Sequence, residues 1–86
     1  MPRISAFYGI IITMHWREHL PPHFHAFYAG ADAAIAIGSG DVIGGDLPPR
    51  ALRLVREWAE LHENDRRANW DRSENALPLV EVAPLP

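Results

Sequence analysis

Residues 23–37 read HFHAFYAGADAAIAI, and this stretch decides the fold class. His23 to Tyr28, rich in aromatic side chains, predicts a strand; Gly30 supplies a tight turn; Ala33 to Ile37 predicts the returning strand of a hairpin. Upstream, Phe7 to Trp16 (FYGIIITMHW) has the same β-branched and aromatic character and predicts another strand. Between them, Pro21 and Pro22 forbid a helix and hold the backbone extended. Downstream, Gly38, Gly40, Gly44 and Gly45 punctuate a region with room for a short strand at 41–43.

Leu47-Pro48-Pro49 opens the one strongly patterned helix, predicted over 49–72 with Asp46 or the prolines at its start. At 100° per residue, Ala51, Leu52, Leu54, Val55, Trp58, Ala59 and Leu61 share one side. Arg53, Arg56, Glu57, Glu60, Glu63 and Arg67 fall opposite and read as a solvated, mutually paired face. The apolar stripe fades after Leu61, where His62 and Asn69 take the centre of the same side with Asp65 and Arg66 beside it. The tail LPLVEVAPLP (77–86) predicts at most a short edge strand at 79–82, because its prolines exclude a central position. The expected architecture is α+β: a three- to four-stranded, mostly antiparallel sheet packed on one long C-terminal helix, with residues 1–86 as a single domain.

Composition narrows the function classes. The chain has no cysteine, so disulfides, thiolate metal sites and thiol nucleophiles are all excluded. A net charge of -3 argues against an electrostatic grip on nucleic acid over the whole surface, while leaving room for a local basic site. The eight basic residues are all arginine, the side chain suited to bidentate recognition of phosphate or carboxylate. The longest charge-free apolar stretch, Ile4 to Trp16, is shorter than the roughly 20 residues a membrane helix needs. It also lacks a signal-peptide cleavage pattern, and the chain reads as cytoplasmic.

Five histidines in 86 residues is a high count, and protonating them all would move the net charge to about +2. His15, His19, His23 and His25 fall within eleven residues, with Arg17 and Glu18 among them. On a strand, residues two apart share a face, which puts His23 and His25 together, about 6–7 Å apart at the backbone. The more apolar even set, Phe24, Ala26 and Tyr28, is expected to face the helix, leaving the imidazoles on the open side of the sheet. A single histidine on an exposed strand is more often a solvated or hydrogen-bonded structural group than a functional one, and it is the clustering that points to function. His62, alone in a helix stripe, reads as a satisfied core residue, and Trp16, Trp58 and Trp70 read as core anchors.

At WREHLPPHFHAFY, Trp16 to Tyr28, the chain resembles the bacterial domain-of-unknown-function family 4160, through Glu18, His19, Pro21, Pro22, His23, Phe24, His25 and Tyr28. The resemblance continues through FYGI (7–10), LPPRALRLVREWAELH (47–62) and Asn69-Trp70. His15 stands where the family more often has an aromatic residue, and the resemblance assigns it no role. The family resemblance implies membership of small two-gene modules, some of whose components are regarded as type II toxin–antitoxin toxins.

Three functions compete. The first is a toxin-like, metal-independent ribonuclease with His23 and His25 as acid–base pair and His19 orienting or replacing one of them. Arg17 would stabilise charge on the phosphorus oxygens and Glu18 would fix an imidazole tautomer. Its partners would be RNA and a cognate antitoxin-like protein, with a homo-oligomer also compatible. The second is a metal protein, with zinc, nickel or ferrous iron held by His23 and His25 and a third ligand from His19, His15 or Glu18. The third is a non-catalytic interaction module or antitoxin that pairs a sheet edge with another chain.

Overall fold

The computed structural model describes residues 2–16 and 20–86. Strands β1 (Arg3–Phe7), β2 (Ile10–Thr13), β3 (His23–Tyr28), β4 (Ala31–Ala36) and β5 (Val42–Asp46) precede helices α1 (Pro49–Leu61) and α2 (Glu63–Glu74). The strands form one antiparallel meander in the order β1-β2-β3-β4-β5. The fold is therefore α+β as expected, with five strands rather than three or four and two helices rather than one.

The hairpin of β3 and β4 closes through Ala29 and Gly30, both at positive φ, as two-residue hairpins require. The expected strand at 7–16 is instead a second hairpin. Tyr8 (φ 48°) and Gly9 (φ 78°) make the turn, so β1 lies upstream and only 10–13 of the stretch is β2. Gly9 carries no Cβ penalty at this angle, and the exposed Tyr8 ring donates its hydroxyl to the Pro86 carbonyl. β5 extends past the expected 41–43 because Gly45 (φ 68°) lets the strand approach β4. A Cβ there would lie 2.3 Å from the Asp32 carbonyl oxygen.

One face of the sheet carries the core. Ile4, Phe7, Ile10, Ile12, Met14, Phe24, Ala26, Ala33 and Ile35 meet Ala51, Val55, Trp58 and Ala59 of α1. Trp58 is wholly buried, stacked on Phe7 (ring centroids 5.7 Å) and edge-on to Phe24 (5.5 Å). Leu61, the end of the predicted stripe, is exposed. The predicted continuous helix 49–72 breaks there: His62 leaves helical geometry at φ -121°, ψ 36°. Beyond the break, α2 turns a different kind of face inward, burying Arg66, Asn69, Trp70 and Ser73.

No strand forms at the expected 79–82. The tail is tied down by side-chain donors from the rest of the fold. Trp16 Nε1 donates to Leu77 O (2.9 Å), Arg72 Nε to Pro78 O (2.5 Å) and Trp58 Nε1 to Ala83 O (2.9 Å). Asn69 clasps Val80 at both backbone groups, its Nδ2 donating to Val80 O and its Oδ1 accepting from Val80 N, each at 2.7 Å. Val80 is claimed by α2, and among the described residues the tail's backbone bond to β1 is Val82 N to Ile4 O (2.6 Å). β5, mostly exposed, is the opposite edge of the sheet.

Asn69 is 2% exposed, and its removal would leave both backbone groups of Val80 without their Asn69 partner. Asn69→Ala is expected to cost about 2 kcal/mol, which for a domain of this size lowers Tm by roughly 10 °C. Thermal denaturation followed by circular dichroism checks this, and an unchanged Tm would mean that the clasp contributes nothing.

A row of histidines at the start of β3

β3 is held on both sides, so its side chains have fixed directions. His25 pairs with Thr13 of β2 and Ala34 of β4, His23 pairs with Ala36, and Ile37 N donates to Pro22 O (2.9 Å) to lock the strand entrance. Phe24 and Ala26 face the core as expected, and Tyr28 packs at its margin. His23 and His25 share the other face, with ring centroids 5.0 Å apart at an interplanar angle of 77°. His15 joins them, its ring 4.7 Å from that of His25 at 73°. Three imidazoles thus form a row centred on His25.

The row is less open than the strand alternation predicts. His23 is only 7% exposed, and Trp70 of α2 lies against its ring at 5.6 Å. The break at His62 allows α2 to turn, so Trp70 closes the end of the face that the sequence leaves uncovered. His15 and His25 are half-buried. The His23 Nδ1 lies 2.7 Å from Pro21 O. A carbonyl oxygen only accepts, so Nδ1 carries the proton and Nε2 is the basic nitrogen of the neutral ring. Beside His25 in the ladder, Thr13 Oγ1 is buried with no hydrogen-bond partner among the described residues.

Of the other predicted site residues, Arg17, Glu18 and His19 lie outside the described residues. Among the described residues, no three His, Cys, Asp or Glu side chains are grouped to hold a metal ion. The fold brings the predicted ligands His23 and His25 together; of the predicted third ligands, His19 and Glu18 lie outside the described residues and His15 meets His25 edge-on. His62 is a structural group, with Nδ1 3.4 Å from Asp65 Oδ2 and its ring beside Trp58. His15, for which the sequence offers only an optional place as a third metal ligand, is the member that completes the row. Its signal is register: the ladder pairs Thr13 with His25, so two residues further along β2 the same face returns to the histidines.

These elements coincide with a known sequence family. A family described as a domain of unknown function, DUF4160, matches residues 9–71. The chain belongs to that family. The DUF4160 match spans β2 to β5, α1 and most of α2, and so includes His15, His23, His25 and Trp70, whereas β1 and the tail fall outside it. No curated protein and no solved structure matches the chain. No helix among the described residues is long and apolar enough to cross a membrane.

The buried His23 and half-buried His25 should respond differently to truncation. His23→Ala is expected to cost about 2 kcal/mol, since it removes a buried ring and leaves Pro21 O without that donor, while His25→Ala stays within about 1 kcal/mol. Long-range ¹H–¹⁵N correlation spectra should show the neutral Nδ1–H tautomer for His23. An Nε2–H signal with Nδ1 unprotonated would show that the Pro21 bond is not made in solution.

Proposed function

We propose that the protein is a histidine-dependent, metal-independent ribonuclease, the toxin-like half of a small type II toxin–antitoxin pair acting in the cytoplasm. The observation that carries this reading is the contiguous row His15–His25–His23, with the tautomer of His23 set by Pro21 O. Imidazole is the side chain suited to giving and taking protons near neutral pH. His25, at the centre of the row and half-buried, takes the proton of a ribose 2′-hydroxyl. The 2′-oxygen attacks phosphorus, the bond to the 5′-oxygen breaks, and that oxygen leaves with a proton from a second imidazole. The products are a 2′,3′-cyclic phosphate and a 5′-hydroxyl end.

The second imidazole in this reading is His15, which is half-buried and touches His25. His23, 7% exposed between Pro21 and Trp70, is a positioning residue that fixes the plane of His25. Arg17, Glu18 and His19, in the segment joining β2 to β3, are the candidates for charge stabilisation and tautomer control, and a cognate small protein would cover the site. A net charge of -3 favours RNA presented on a ribosome or another protein over free RNA.

A second reading has its own support. A ring nitrogen anchored to a carbonyl is also the usual second contact of a metal-ligating histidine, and His23 has that contact. In that version zinc, nickel or ferrous iron would be held by His23 and His25, completed from His19 or Glu18.

Inducible expression of wild type, His25→Ala and His15→Ala, with and without the neighbouring gene, tests the proposal. Wild type is expected to arrest growth, the neighbour to relieve the arrest, and each variant to lose toxicity by about 100-fold or more in colony counts, in keeping with the usual share of acid–base catalysis. RNA cleavage should persist in EDTA and leave cyclic phosphate ends. Loss on chelation, restored by zinc, nickel or iron, would transfer the row to the metal reading, and full toxicity in both variants would overturn the site.

A further inference from the structure

A second feature lies on the helix side of the sheet and owes nothing to the histidines. A cavity of about 270 Å³ opens between the β4–β5 turn, Gly38 to Gly40, and the junction of α1 and α2, where Arg56, Glu60, Glu63 and Arg66 line it. Arg66 is 4% exposed, which is rare for an arginine with no carboxylate bridged to it among the described residues. Its Nε donates to Ala59 O at 2.9 Å, and its guanidinium carbon lies 5.6 Å from the centre of the Phe24 ring. Burial lowers its pKa, Glu63 opposes that fall and Arg67 adds to it; the group remains a cation at neutral pH.

A purely structural role accounts for part of this. Ala59 lies in the last turn of α1, where a cation satisfies a terminal carbonyl and complements the helix dipole. That contact uses one of the five N–H groups of a guanidinium. Among the described residues no carboxylate pairs with the others, since Glu63 is drawn to Arg67 at 3.3 Å. Arg56 repeats the arrangement on the same wall, with its Nε donating to Gly40 O at 3.0 Å. Two guanidinium groups are therefore each pinned through Nε to a backbone carbonyl, and both residues line the cavity.

We infer that this cavity binds a phosphate group, through the Nη groups of Arg66 and Arg56, with the turn at Gly38 and Ser39 as its rim. A dianion answers two fixed cations, and planar guanidinium forks match its oxygens in pairs. The volume falls just below the roughly 300–1,000 Å³ of sites for drug-sized ligands, which suits the phosphate end of a small monoester.

The test is titration of the full chain with inorganic phosphate, at a pH where it is a dianion, against chloride at equal ionic strength and against acetate. Phosphate is expected to raise Tm and to shift the amide signals of Gly38, Ser39 and Gly40 and the Nε–H signal of Arg66, with acetate about tenfold weaker or worse. Arg66→Met should fold, because an apolar chain of similar length removes an unpaired buried charge, and should lose the phosphate effect by about tenfold or more in Kd. Arg56→Gln should weaken it at the rim. If Arg66→Met does not fold, the wild-type spectra decide: shifts confined to other parts of the chain, or no response beyond chloride, overturn the site. Acetate binding as tightly as phosphate overturns its assignment to a dianion.

Discussion

The structure is organised around the packing of Trp58 between sheet and helix. Its indole stacks on Phe7, meets Phe24 edge-on, lies beside His62 and donates through Nε1 to Ala83 O. One side chain thereby joins β1, β3, the helix break and the tail. Truncating a buried ring of this size costs roughly 3–5 kcal/mol, a large share of the 5–15 kcal/mol that holds a typical domain together. The meander needs such a bolt, because a sheet of short strands cannot bury its apolar face alone.

β3 carries that packing to both sites through its alternation. Phe24 faces Trp58 and lies beneath Arg66, whereas His23 and His25 face the other way. α2 reaches both sides of this arrangement with residues four apart in sequence: Arg66 over Phe24 and Trp70 against His23. A change that shifted α2 would thus move the wall of the arginine cavity and the cover of the histidine row together. The histidine row and the arginine cavity are chemically separate but share a support.

What the sequence made legible follows from how local its cause was. The β3–β4 hairpin, its turn, the helix start at the prolines and the inward direction of Phe24 all rest on neighbouring residues, and all are present. The Tyr8-Gly9 turn was hidden because apolar β-branched residues continue past it, and only the positive φ at both positions divides the stretch. The helix break at His62 was visible only as the fading of a stripe, since α2 buries polar groups that satisfy the backbone of the tail. The pairing of His23 with His25 needed only strand parity. The inclusion of His15 needed the register of β2 against β3 across a loop, and the burial of His23 needed the position of Trp70. Neither is encoded locally.

The anchoring of the tail has a consequence for its own sequence. From 78 to 86, the contacts fall mainly on carbonyl oxygens, Pro78, Val80, Ala83 and Pro86 among them, and every amino acid has one. Among the described residues, the amides of Val80 and Val82 are also used. The hydrogen-bond donors are therefore Arg72, Asn69, Trp58 and Tyr8, while side-chain identity in the strip counts at Val82, buried in the core, and at Leu79 and Leu85, which pack against it. Proline, which lacks an amide proton but keeps its oxygen, suits such a strip at 78, 84 and 86 and would break it at 80 or 82.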